Sequence, residues 1–143
     1  MEKNVPQNLM QIGESFKQRY QPVLDFEGWR VAMLRHMPET DFSNLKVVER
    51  HNETNEVFIL TEGKSDLIVG ENGEKPGKIF VFPMRKNVAY NFGKNVWHHV
   101  LMSEDAHIIL FERTNTTLEN TDYHELSESN VQYIKSNSQF MQK

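Results

Sequence analysis

Hydrophobic and polar positions alternate in short runs between Gly28 and Arg113. Gly, Pro, Asn and Asp residues separate the runs, at a spacing typical of an all-β sandwich or barrel. The pattern predicts eight strands: Trp29–His36, Leu45–His51, Glu56–Glu62, Asp66–Val69, Lys78–Phe82, Val88–Phe92, Val96–Leu101 and Ala106–Arg113. Eight short strands of this kind fit a jelly roll.

Two segments between these strands carry strong turn signals. Residues 71–77 read Glu-Asn-Gly-Glu-Lys-Pro-Gly, and residues 63–65 read Gly-Lys-Ser. Segments of this composition favour tight turns between neighbouring strands. We therefore expect hairpin-like connections and antiparallel pairing.

The two ends of the chain show helical rather than alternating patterns. Four apolar residues follow Asn8 at helical spacing before Pro22 interrupts, namely Leu9, Ile12, Phe16 and Tyr20. This spacing predicts an amphipathic N-terminal helix with Asn8 as a candidate N-cap. Val131 and Ile134 within Ser127–Phe140 indicate a C-terminal helix. The predicted fold class is thus all-β with short helical segments at both ends.

The length of 143 residues predicts a single domain over residues 1–143, with the β core at 28–113. Hydrophobic residues make up 38% and charged residues 25%, so the chain can bury a core. Lys plus Arg number 16 against 20 for Asp plus Glu, a formal charge of −4 that supplies no positive field for phosphates. Nucleic acid is therefore not an expected partner.

The absence of cysteine excludes disulfides, thiol nucleophiles and Cys-ligated metals, so any metal must bind through His, Asp or Glu. The sequence has no apolar run of about 18 residues and no apolar segment near its start. We predict a soluble, cytoplasmic protein with no membrane partner.

Candidate chemistry lies on two of the predicted strands and at the start of a third. Glu49 and His51 are two residues apart and share one strand face, and Glu56 opens the next strand. If those two strands form a hairpin, Glu56 lies beside the other two groups. His98 and His99 alternate, so only one of them faces the core. With the opposite parity, Arg50, Asn52 and His99 would point inward and the cluster would be solvated.

These residues resemble the two sequence motifs of the cupins, a family of small β-barrel proteins. The first motif reads H-x-H, three or four residues, E, six residues, G; His51, Glu56 and Gly63 match it, with Glu49 at the first His. The second, P-x-G-x-x-H, is matched by His98, with Gly93 for the Pro and Asn95 for the Gly. Asn tolerates the left-handed backbone that the Gly position requires. Trp97-His98-His99 also resembles the W-H-H of ureidoglycolate lyases, which are cupin-like; the other interpretation of this triplet is a packed Trp beside an exposed His.

The resemblance implies a cupin-type jelly-roll barrel with a divalent metal ion held by His51, Glu56 and His98. Glu49, which replaces a histidine, is either a fourth ligand or the catalytic group that moves a proton. Two imidazoles and carboxylates suit Fe, Mn, Ni or Zn. The departures at Glu49 and Gly93 leave open a barrel that has lost its metal.

The leading hypothesis is a metal-binding cupin acting on a small polar metabolite, a sugar or an organic or ureido acid, by isomerase, lyase or dioxygenase chemistry. The metal would polarise a substrate oxygen. The alternative is a non-enzymatic sensor or storage protein that binds a small ligand without metal. The resemblance also implies a homodimer.

Overall fold

The computed structural model describes residues 4–141 of the chain. Within that range the chain forms ten β-strands, one α-helix and three short 3-10 helices. The strands are β1 (Tyr20–Phe26), β2 (Trp29–Arg35), β3 (Val47–His51), β4 (Glu56–Glu62), β5 (Ser65–Val69), β6 (Phe80–Pro83), β7 (Ala89–Phe92), β8 (His98–Met102), β9 (His107–Arg113) and β10 (Thr121–Glu125). The helix α1 is Glu128–Asn137, and the 3-10 helices are Pro38–Thr40, Phe42–Asn44 and Leu118–Asn120.

The strands form two five-stranded antiparallel sheets. Their orders are β1-β2-β9-β4-β7 and β10-β3-β8-β5-β6, which we call sheet A and sheet B. One buried apolar cluster contains residues of both sheets, including Phe58 of sheet A and Val100 of sheet B, and therefore lies between them. A second cluster joins Val48 and Leu101 of sheet B to Ile134 of α1, so the helix covers the outer face of sheet B. The predicted all-β class is confirmed.

Each of the eight predicted strands overlaps an observed strand, and β4 has the predicted bounds. The sequence pattern did not predict β1 and β10, which lie outside residues 28–113 and form one edge of each sheet. β1 contains Pro22 and a register shift between Pro22 and Leu24, features that edge strands tolerate. β10 is mostly polar because it pairs with one neighbour and keeps part of its surface in water.

The predicted N-terminal helix is wrong. Residues 4–19 contain turns and bends, and Leu9, Ile12 and Phe16 are 72%, 79% and 74% exposed. A short amphipathic segment that buries no apolar face lacks the packing that stabilises most helices. The C-terminal helix is confirmed: Ser127 caps α1 by accepting a hydrogen bond from the Asn130 amide at 3.1 Å.

The sequence analysis considered three hairpin connections: the link between β3 and β4, residues 63–65 and residues 71–77. The first two join strands of different sheets instead. β3 lies in sheet B and β4 in sheet A, so the expected pairing of these strands is wrong. The turn at residues 63–65 likewise leads from sheet A to sheet B. Gly63 is required there because its φ is +71° and a Cβ would lie 2.6 Å from Ala106 Cα. Residues 71–77 do join the antiparallel pair β5 and β6.

No helix among residues 4–141 is long and apolar enough to cross a membrane.

Candidate metal centre

A cavity of about 850 Å³ lies between the two sheets. Seven of the polar residues in its wall come from six strands: Tyr20, Arg30, Glu49, His51, Glu56, His98 and Glu112. Apolar side chains such as Phe58, Val100 and Leu110 line the remaining wall. A cavity with a few converging polar groups in an apolar wall is the usual form of a small-molecule site.

The structure brings together the four residues that the sequence singled out. Glu49 and His51 project from β3, His98 from β8 and Glu56 from β4, and each offers one ligand atom within 4.8 Å of the others. Glu49 and His98 are cross-strand partners in sheet B, whereas Glu56 comes from sheet A. On β3 and β8, the side chains that point into the cavity are therefore the ones that the cupin resemblance required.

Glu56 bridges the two imidazoles at the centre of the cluster. Its Oε2 lies 3.1 Å from His51 Nε2, and its Oε1 lies 3.2 Å from His98 Nε2. Glu49 Oε1 is 3.8 Å from His51 Nε2, and the Glu49 side chain is 34% exposed, against 5% for Glu56. Glu49 therefore lies at the solvent side of the cluster and Glu56 at its buried side.

The hydrogen bonds of the two histidines direct both Nε2 atoms into the cluster. His98 Nδ1 lies 2.8 Å from the Val96 carbonyl, which only accepts, so Nδ1 carries the proton. The Thr121 hydroxyl donates to the Thr117 carbonyl at 2.7 Å and so accepts from His51 Nδ1 at 3.0 Å. Metal-ligating histidines commonly have such partners on the other ring nitrogen, because the partner fixes the tautomer and the ring orientation.

The His51 Nε2 atom is buried and has no hydrogen-bond partner among the described residues. Although Glu56 is 3.1 Å away, the alignment does not form a hydrogen bond, so their attraction is one between charges. A buried polar atom without a partner is costly, and a cation between these donors would remove that cost. The cluster can hold a metal ion.

Burial and the charges within the cluster shift the pKa values of its four residues. Burial lowers the pKa of His51, but the adjacent Glu56 carboxylate outweighs it and raises the pKa to about 9. The same opposition raises the pKa of His98. Burial raises the pKa of Glu56, yet the two imidazoles hold it below its ordinary value. For Glu49 burial prevails, and its pKa is raised. In the absence of a metal, these shifts favour protons on the imidazoles over a proton on the Glu56 carboxylate.

Replacing Thr121 by Val is expected to weaken divalent-metal binding about tenfold, because His51 loses the acceptor that orients its ring. Titration of the metal-depleted protein with Zn²⁺ or Mn²⁺ by calorimetry measures the change. Thr116→Val is the matched control, because Thr116 lines the same cavity and bonds to the Arg113 carbonyl instead. Equal affinities for Thr121→Val and the wild-type protein would contradict this role.

Three polar residues beside the cluster were not among the site residues predicted from the sequence. Glu112 of β9 is the cross-strand partner of Glu56 and is 3% exposed. Tyr20 donates a hydrogen bond to Glu112 Oε1, and Arg30 Nη1 lies 3.4 Å from the same atom. Burial and the neighbouring Glu56 raise the pKa of Glu112 to about 7. Alternation along the strand could have indicated that Glu112 points inward, because it shares a strand face with the apolar Ile108 and Leu110.

The other residues of the second motif have structural roles. Trp97 is 2% exposed and donates its indole N–H to the Gly73 carbonyl at 2.9 Å. His99 lies outside the four-residue cluster, and its Nε2 donates to the Glu39 carbonyl at 2.9 Å. Asn95 adopts the predicted left-handed backbone, with φ of +64°, and its amide donates to the His51 carbonyl. This turn thereby links β8 to the end of β3.

The sequence model of the ureidoglycolate lyase family matches residues 7–134. The chain belongs to the ureidoglycolate lyase family. A ureidoglycolate lyase of Rhizobium etli is 35% identical over 81 residues, which are 54% of this chain and 49% of that protein. The chain thus spans about half the length of the curated relatives it matches. Membership in this cupin-like family and the two antiparallel sheets confirm the predicted cupin jelly roll.

Solved structures resemble this member of the ureidoglycolate lyase family at low sequence identity. A variant of Streptomyces PAC13 with uridine has a TM-score of 0.55 and 12% identity, covering 90% of this chain and 97% of that chain. A cupin-2 domain containing protein from Shewanella frigidimarina has a TM-score of 0.49 and 19% identity, covering 68% and 84%. The likeness to PAC13 concerns the fold alone.

Proposed function

We propose that this protein is a metal-dependent lyase that cleaves a small ureido acid, of the ureidoglycolate type, in the cavity between the sheets. The observation that carries the proposal is the four-residue cluster in the wall of that cavity, in which the buried His51 Nε2 has no hydrogen-bond partner among the described residues. The names of the curated relatives support the substrate class. The cluster supports a metal, because its donors are the imidazoles and carboxylates that Fe, Mn, Ni and Zn bind.

His51, Glu56 and His98 would hold the ion, and Glu49, the more exposed of the two carboxylates, would remain available for proton transfer. A bound divalent ion supplies Lewis-acid polarisation of a substrate oxygen. The buried Glu56 lies between both imidazoles and has little access to a substrate, whereas Glu49 faces the cavity from its more solvated side. This division of roles follows from exposure and distance within the cluster.

The proposed reaction needs one proton carrier. In ureidoglycolate one carbon bears both a hydroxyl and the ureido nitrogen. Glu49 takes the hydroxyl proton, the oxygen lone pair forms the C=O bond, and the C–N bond breaks with its electrons on nitrogen. The same Glu49 carboxyl then gives its proton to that nitrogen, which yields glyoxylate and urea. Burial raises the pKa of Glu49, which makes its carboxylate a stronger base than an exposed one.

The test is metal reconstitution followed by product analysis. Protein purified without a histidine tag is stripped of metal, then supplied separately with Fe(II), Mn²⁺, Ni²⁺ or Zn²⁺ and with ureidoglycolate. We expect about one ion per chain and equimolar glyoxylate and urea, at a rate above the spontaneous decay of the substrate. Folded protein that binds none of these ions contradicts the proposal. Binding of a ureido acid without turnover would instead indicate the non-enzymatic ligand-binding alternative.

Three predictions from the sequence belong to this proposal. They are a single domain over residues 1–143, a homodimer and a cytoplasmic location. They are supported by length, by the cupin resemblance and by the composition of the chain.

A further inference from the structure

Arg30 lies in the cavity wall close to the candidate metal centre. Glu56 of β4 pairs with Glu112 of β9, and Glu112 pairs with Arg30 of β2. The three residues therefore form a row across three neighbouring strands. Residues in such a row project from the same face of the sheet. The Arg30 side chain is 20% exposed. Lys46 is the other Lys or Arg residue among those lining the cavity, and it is exposed.

The cavity wall is otherwise rich in acidic groups. Glu39, Glu49, Glu56 and Glu112 all line it. An anionic substrate entering this cavity would be repelled by carboxylates unless a positive group met its charge. Arg30 is the half-buried guanidinium in a position to do so, and its planar fork matches a carboxylate in two parallel hydrogen bonds.

The present contacts of Arg30 leave much of its donor capacity unused. Nη1 lies 3.4 Å from Glu112 Oε1 and 3.5 Å from the Tyr20 hydroxyl, and Nη2 lies 3.3 Å from the Thr114 carbonyl. These distances are long for hydrogen bonds of a charged donor, which are usually about 2.7–2.9 Å. Nε is buried and has no hydrogen-bond partner within residues 4–141. Nε does form an ion pair with the carboxylate of the exposed Asp25, at 3.6 Å.

We propose that Arg30 binds the carboxylate of the substrate and thereby selects small acids over neutral molecules of the same shape. The inference rests on the proposed function for the ureido part of the ligand and adds the residue that recognises the acid. Binding places the carboxylate beside Glu112 and Tyr20, at the end of the row that begins with Glu56 at the metal centre. The acid group is thus held by sheet A, while the cluster acts on the adjacent carbon.

The test compares two stable ligands of nearly the same shape, the anionic N-carbamoylglycine and the neutral N-carbamoylglycinamide. Calorimetry measures the affinity of each ligand for metal-free and for Zn²⁺-loaded protein. This comparison separates recognition by Arg30 from recognition by the ion. We expect wild-type protein to prefer the acid in both forms. Arg30→Gln should weaken binding of the acid at least about tenfold and leave binding of the amide unchanged. Arg113→Gln, a change at the end of the neighbouring strand on an exposed residue, should alter neither.

Two results would overturn the proposal: no preference of the wild-type protein for the acid, or an equal loss of both ligands in Arg30→Gln. If Arg30→Gln does not fold, Arg30→Lys decides, because it keeps the charge and removes the fork. A loss confined to the acid then supports the proposal, and an equal loss or no loss overturns it. Zn²⁺ titration of each variant is read separately, so that failure of the metal site is distinguished from failure of the carboxylate site.

Discussion

Glu56→Gln is expected to weaken divalent-metal binding by at least about 100-fold, a larger loss than removal of an outer hydrogen-bond partner causes. The substitution keeps the shape of the side chain but removes the charge that lies between the two imidazoles, 3.1 and 3.2 Å from their Nε2 atoms. A neutral amide is a weak ligand for Fe, Mn, Ni or Zn. Calorimetric titration and elemental analysis of the dialysed variant measure the loss.

Two further variants show whether the effect belongs to the centre. Glu62→Gln changes the exposed last residue of the same strand and should bind metal as the wild-type protein does. Glu49→Gln should keep most of the metal affinity but lower kcat about 100-fold, the contribution typical of a proton-transfer group. Wild-type metal affinity in Glu56→Gln would mean that the ion, if bound, lies elsewhere.

Metal affinity is expected to rise at least about tenfold per pH unit as the pH increases toward 9, and then to rise less steeply, because the pKa values of both His51 and His98 are raised. In the metal-free protein Glu56 raises the pKa of His51 to about 9, so a metal ion must displace a proton from Nε2 at neutral pH. Above pH 9 that proton is already absent. Titrations in buffers with different ionisation enthalpies measure the number of protons released per ion, which should fall as the pH rises.

The same pKa shift predicts how the metal-free protein responds to pH. A histidine whose pKa is raised from 6.5 to about 9 on folding stabilises the fold fully below pH 6.5, and this contribution is lost as the pH rises through 9. The Tm of metal-free protein should therefore fall over that range, while metal-loaded protein falls less. In Glu56→Gln, which lacks the carboxylate, the trend should be reduced. The metal titrations at different pH test the same protonation of His51. A metal affinity that does not change between pH 6.5 and 9 would contradict it.

Local pattern predicted the elements whose burial alternates simply. β4 has its predicted bounds because buried positions alternate along most of its length and both of its neighbours are strands. β1 and β10 were not predicted because edge strands bury less surface and tolerate proline and polar residues, which interrupt the alternating pattern. The N-terminal segment has helical spacing, but periodicity does not show whether another surface exists to bury it.

The composition of the candidate centre was also readable from the sequence. The absence of cysteine limited metal ligands to His, Asp and Glu, and the cupin-like spacing of His51, Glu56 and His98 selected three of them. Parity placed Glu49 beside His51. These inferences hold because residues two apart on a strand project from the same face whatever the tertiary fold.

Only the tertiary structure decided how the groups meet. Glu56 reaches His51 and His98 across the space between two sheets, since β3 and β4 are not paired, and Arg30 joins the same wall through pairing of distant strands. Strand pairing depends on contacts between segments far apart in the chain, which local periodicity does not encode. The sequence by itself thus determined eight of the ten described strands and the chemical groups of the candidate centre, and the packing of sheet A on sheet B determined the convergence of those groups.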